Sequence, residues 1–108
     1  MYHRVVQRVG MIVSFRDHWL RAFFVDDTRS RRILPDLEDR LFRRLQMLDD
    51  ATSDQDLRIP PSNHFEKLSG SMAGFHCVRV NKQWRLIFQW DGSRGEASGV
   101  YLDAHRYQ

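Results

Sequence analysis

The stretch FHCVRVNKQWRLIFQW, residues 75–90, carries Arg79 and Arg85 inside two runs of strand-forming residues. A threonine would serve a solvated strand at either place. A guanidinium is planar, always charged, and matches a phosphate or carboxylate through two parallel hydrogen bonds. Near the end of the chain, VYLDAH (residues 100–105) adds Tyr101, Asp103 and His105 at alternate positions. Two cations, a phenol, a carboxylate and an imidazole are groups from which a phosphate or acid–base site is built. A solvated sheet face is the plainer reading of the same residues.

Whether these groups meet depends on alternation and register. In residues 84–90, Trp84, Leu86, Phe88 and Trp90 point one way and Arg85, Ile87 and Gln89 the other. In the preceding run His76, Val78 and Val80 oppose Phe75, Cys77 and Arg79; in the last run Val100, Leu102 and Ala104 oppose Tyr101, Asp103 and His105. If helices cover the Trp/Leu/Val side, all five polar candidates share the uncovered face. That register needs a three-residue loop at 81–83, because a two-residue loop would split the arginines.

The remaining elements must supply that cover. Residues 11–15 (MIVSF) are a short strand candidate, and Trp19, Leu20, Phe23 and Phe24 form the apolar stripe of a helix within 16–25. Pro35 sits at a helix N1 position, with Asp36, Glu38 and Asp39 in the first turn, where carboxylates favour the dipole. Leu37, Leu41, Leu45 and Leu48 give this helix, about 35–49, one buried face. Asp36–Arg40 and Asp39–Arg43 are expected as i,i+4 pairs. Ile59-Pro60-Pro61-Ser62-Asn63 reads as a rigid connector, followed by strands near 64–68, 75–80, 84–90 and 98–104 with glycines between them. The expected fold is α+β: two N-terminal helices packed on a small, largely antiparallel twisted sheet.

A chain of 108 residues supports one core. Its 42% apolar content and its seven Phe, three Trp and three Tyr argue against disorder. No apolar run approaches the roughly 20 residues of a membrane span, and MYHRVVQRVGM lacks a signal-peptide core. The single Cys77 rules out an internal disulfide and fits a reducing compartment, so a cytoplasmic location is expected. Of the 17 cations 15 are Arg, a bias that suits phosphate contact and also follows from a GC-rich genome. The arginines of 29–44 form either a solvated helix face or a contact for RNA or an acidic partner. His3, His18, His64 and His76 lack metal-site spacing, so neither metal nor cofactor is expected. Cys77 reads as a small sheet residue, and Gly70 and Gly74 as turn residues.

The ordered set MIVSFRD, LPDLEDRLFRRLQMLDDA, FEKLSG, GFHCVRVNKQWRLIF and LDAH resembles HigB-type toxins of the RelE/ParE superfamily, over Met11 to His105. The resemblance implies a single RelE-like domain at 11–108, preceded by an extension at 1–10 that is either an arm or lies upstream of a start at Met11. It also implies a ribosome-bound endonuclease acting on translated mRNA, silenced by a HigA-like helix-turn-helix antitoxin through which alone operator DNA is met. Residue by residue, Glu66 matches a carboxylate base, Arg85 the arginine on the scissile phosphate, and His105 a catalytic histidine. Asp103 matches an acidic residue of the terminal motif, and Arg79 a position that is basic in several relatives. Lys67, Lys82 and Tyr101 complete the implied phosphate and RNA contacts.

Two positions depart from the family pattern. Ser69 stands where relatives often have lysine, with Lys67 as a substitute, and Ala104 where they have an aromatic, with Tyr101 or Tyr107 as the replacement ring. The implied mechanism is metal-independent attack by the RNA 2′-hydroxyl on its neighbouring phosphodiester. It needs a base, Glu66; a clamp, Arg85 helped by Arg79; and an acid, His105, whose pKa Asp103 would raise. A ParE-like gyrase binder and a catalytically weakened co-repressor are the alternatives on the same scaffold.

Overall fold

The computed structural model describes residues 11–104; the extension at 1–10, the expected acid His105 and Tyr107 lie outside the described residues. Three helices, α1 (His18–Val25), α2 (Glu38–Asp50) and α3 (Asp54–Leu57), accompany five strands. The strands are β1 (Met11–Ile12), β2 (Glu66–Lys67), β3 (Phe75–Arg79), β4 (Trp84–Asp91) and β5 (Glu96–Ala104). They form one sheet in the order β1-β5-β4-β3-β2, antiparallel throughout except that β1 runs parallel to β5. This is the expected α+β architecture, with a strand before the first helix and a third short helix after the second.

The leucine spacing of α2 does what its period implies. Pro35–Leu37 form a 3-10 turn leading into α2, and Leu37, Leu41, Leu45 and Leu48 are all at most 3% exposed. From α1, Leu20 and Phe23 join them, with Trp19 and Phe24 packed at the margin. Opposite these helices lie Val78, Leu86 and Leu102, directly paired across β3, β4 and β5, with Phe88 and Val100 beside them. Burying each such side chain contributes about 1.5–3 kcal/mol, so this layer dominates the stability of the fold.

A bulge adjusts β5 to the core. Ile87 pairs with Tyr101 but Gln89 pairs with Ser98, so Gly99 and Val100 together oppose Phe88. Gly99 takes φ +62°, the left-handed conformation common at such bulges. Ala97 and Val100, three residues apart, are therefore both fully buried, which simple alternation would forbid. At the β4–β5 turn, Gly95 has φ +66°, and a Cβ there would meet Thr52 O at 2.7 Å.

Two expectations are corrected. The strand at 64–68 contracts to Glu66–Lys67, because Pro61–Asn63 form a 3-10 turn and His64 adopts φ +47°, ψ +51°. The turn is anchored by Asn63, which is fully buried and donates through Nδ2 to Leu57 O (3.2 Å) and Ile59 O (3.1 Å). Neither Asp36–Arg40 nor Asp39–Arg43 is among the ion pairs of the described residues; on α2, Glu38 instead meets Arg29 at 3.6 Å. Arg40 and Arg43 line a groove beside the sheet.

Candidate active site

The loop between β3 and β4 fixes which candidates share a face. Val80 N donates to Trp84 O at 2.8 Å, and Asn81 Oδ1 accepts from the backbone N–H of Gln83 and Trp84, both at 2.8 Å. Residues 81–83 are thus the three-residue connection that the register requires. Arg79 pairs with Arg85, and Arg85 with Asp103. In the adjoining row Glu66, Cys77, Ile87 and Tyr101 pair in succession across β2 to β5. Directly paired residues point to the same side of a sheet, so Glu66, Arg79, Arg85, Tyr101 and Asp103 all stand on the face opposite α2.

That face is less open than alternation implies. Cys77 and Ile87 are 3% and 2% exposed, forming a small apolar floor among longer side chains. Burial pushes the Cys77 thiol above its ordinary pKa, with Arg85 opposing and Glu66 reinforcing the shift. The thiol is therefore poorly suited to nucleophilic work.

Around this floor Glu66, Arg79 and Arg85 line one cleft, with His64, Asn81 and Trp84 at its margin. Its volume is about 20 Å³, room for little more than a water molecule. Two arginines directly opposite one another disfavour the strand pair. Asp103 offsets one of them: its Oδ2 accepts from Arg85 Nε at 3.2 Å. That bond uses one of the five N–H donors of the guanidinium, and a further one meets the Cys77 side chain, so the remaining donors are those that can face an anion. Arg79 has no ion pair among the described residues, and neither has Glu66. Among the described residues the cleft thus joins a surplus of positive charge to a carboxylate without an ion pair.

The remaining candidates are placed differently. Lys67 pairs with His76, which puts it on the opposite side of β2 from Glu66 and away from the cleft, contrary to expectation. The cause is the period of two along an extended strand. Tyr101 shares the face, but the Arg16 guanidinium lies over its ring, 3.6 Å from the centroid, so that ring face is occupied. Lys82 sits in the loop and lines a neighbouring groove with Arg79. Ala104 pairs with Trp84, while Ser69 precedes a 3-10 turn at Gly70–Met72; neither lines the cleft. The expected effect of Asp103 on His105 concerns a residue beyond those described; the contact Asp103 makes is with Arg85. His64 and Asn81 escaped the sequence reading as site residues. His64 owes its place to a left-handed turn that no local motif announces.

No helix among the described residues is long and apolar enough to cross a membrane. Comparison with known proteins agrees with the fold. Residues 13–105 match the HigB-like toxin family, described as RelE-like toxins of the type II toxin–antitoxin system HigB. The chain is 50% identical over 97 residues to Toxin HigB-1 of Vibrio cholerae, covering 90% of this chain and all of that one. It is also 37% identical over 93 residues to an uncharacterized protein of Haemophilus influenzae, covering 86% and 90% of the two chains. With its helix-covered sheet and polar face, the chain belongs to the HigB-like family of type II toxin–antitoxin toxins.

Proposed function

We propose that the protein inhibits translation as a ribosome-dependent endoribonuclease acting on mRNA. Glu66 takes the proton from a 2′-hydroxyl, whose oxygen attacks the adjacent phosphorus. Arg85, oriented by Asp103 and assisted by Arg79, stabilises the charge gathering on the phosphate oxygens. The bond to the 5′ oxygen breaks, and His105 supplies its proton. The products are a 2′,3′-cyclic phosphate and a 5′-hydroxyl. The observation that carries this reading is the cleft itself, in which a carboxylate with no ion pair among the described residues and two arginines share one sheet face. A cleft of about 20 Å³ cannot enclose a nucleotide, which supports an outside agent, the ribosome, aligning the substrate.

A type II toxin implies an antitoxin partner. We take it to be a HigA-like helix-turn-helix protein that carries the pair to operator DNA, and place the toxin in the cytoplasm with ribosomes and mRNA. The test is a cell-free translation reaction with mRNA ends mapped by primer extension, using wild type, Arg85→Ala and His105→Ala. New ends that require ribosomes and both residues support the proposal. Intact mRNA with wild-type protein overturns it; inhibited gyrase, or operator binding with the antitoxin as the sole activity, would identify one of the alternatives.

A further inference from the structure

Next to the cleft runs a larger groove of about 440 Å³ between α2 and the β3–β4 loop. Arg40, Arg43 and Arg44 line it from α2, and Arg79 and Lys82 from the sheet side. On a helix, positions i, i+3 and i+4 are neighbours, so the three α2 arginines form one patch. None of these five cations has an ion pair among the described residues. Arg44 Nε donates to Arg79 O at 3.0 Å, tying the helix patch to the strand that carries the site. Burial, and to a lesser degree the neighbouring Arg40 and Arg43 charges, lowers the pKa of Arg44.

We infer that this groove holds the phosphates of the single-stranded RNA that extends beyond the bond cut in the cleft, with Arg40 and Arg43 as its outer contacts. The inference rests on the nuclease reading for the direction of the strand. Three observations favour RNA over an acidic segment of a protein partner. The groove and the cleft share His64, Arg79 and Asn81, so one strand can occupy both. The groove is large where the cleft is not. Its only large apolar lining residue, Val80, is 2% exposed, so it offers no anchor of the kind on which protein interfaces depend.

The experiment measures binding of fluorescent 2′-O-methyl RNA, which cannot be cut, across 0.05–1 M salt (~20-fold in concentration). Each phosphate contact on a single strand contributes about 0.7 to the slope of log K against log salt. Arg40→Gln with Arg43→Gln should therefore reduce the slope by about 1.4 for a ten-nucleotide RNA, a loss of about 25-fold at 0.1 M salt that closes toward 1 M. A two-nucleotide RNA, whose single phosphodiester is too short to span both the cleft and the groove, should show no such change. Arg40→Lys with Arg43→Lys should keep the slope, and the melting temperature should be unchanged for both pairs. An unchanged slope, no measurable binding by wild type, or an equal loss with the short RNA would overturn the inference. Weakened antitoxin binding with an intact slope would overturn it in favour of a protein surface. A groove-dependent slope in a protein that cuts nothing on ribosomes would sink the nuclease reading alone.

Discussion

Asn63 is where the fold takes hold of the site, and Asn63→Ala should be far more damaging than its loop position suggests. The side chain is fully buried, and Nδ2 donates to the carbonyls of Leu57 and Ile59 and meets Met47 Sδ at 2.9 Å. Truncation loses two carbonyl bonds of about 1 kcal/mol each. It also strands the Leu57 carbonyl, whose bond to Asn63 is buried, at about 1–3 kcal/mol. The expected loss is about 3–5 kcal/mol, and at about 4 °C per kcal/mol a fall in Tm of roughly 12–20 °C. Because Asn63 immediately precedes the left-handed His64 and the chain then reaches Glu66, cutting of translated mRNA at a temperature where the variant is still folded should fall too. Thermal unfolding followed by circular dichroism, beside a cleavage assay well below the new Tm, makes both measurements. A Tm within 3 °C (~1 kcal/mol or less) of wild type would show that the connector is held by something other than Asn63.

Further outcomes follow from the cleft and its surroundings. Asp103→Asn removes the charge that orients Arg85 across 3.2 Å. The pair is partly exposed, so about 1 kcal/mol, a fivefold loss of cleavage rate, is expected. The same change in an Arg85→Ala background should cost nothing further, and an equal loss there would show that Asp103 acts elsewhere. His76 is stacked on Phe65 at 5.2 Å, and burial lowers its pKa below the ordinary value of about 6.5. The folded state then binds fewer protons than the unfolded chain just below that pH. Stability contributed by neutral His76 is present above about pH 6.5 and lost as pH falls toward the folded pKa. Denaturant midpoints measured from pH 7.5 to 5 (~pH-unit steps) should decline, and His76→Phe should flatten His76's share of the decline; an identical decline in the variant would assign it to other groups.

Much of this arrangement is legible in the chain because it rests on period. The leucines of α2 name its buried side, the alternation through Trp84–Trp90 names the helix-covered side of β4 but not the burial of Ile87 on the other, and the polar triplet 81–83 sets the register that brings Arg79 opposite Arg85. What escapes a period is set by tertiary contact. Four residues of α3 cannot announce a helix; they are held by packing of Leu57 and by Asp54 accepting from Trp90 Nε1 at 2.6 Å. The bulge at Gly99–Val100 reverses alternation at one point only. Arg40 and Arg43 look like members of helical ion pairs until the strand beside them creates a groove. Lys67 shows the opposite lesson, since its side of β2 follows from the period of two once Glu66 is placed opposite Cys77. The family is legible through the ordered set of motifs, and residues 13–105 match it; the cleft residues alone fit a phosphate site of any purpose.

In the proposed reaction Glu66 activates a 2′-hydroxyl for attack on a phosphate held by Arg85. The most direct test places a single 2′-deoxynucleotide at a mapped cleavage position of an mRNA translated in a reconstituted system. Cutting should then stop at that bond and continue at unmodified bonds nearby, where the cut ends carry 2′,3′-cyclic phosphate or its hydrolysis product. Undiminished cutting at the deoxy position, with a 3′-hydroxyl end, would contradict that reaction.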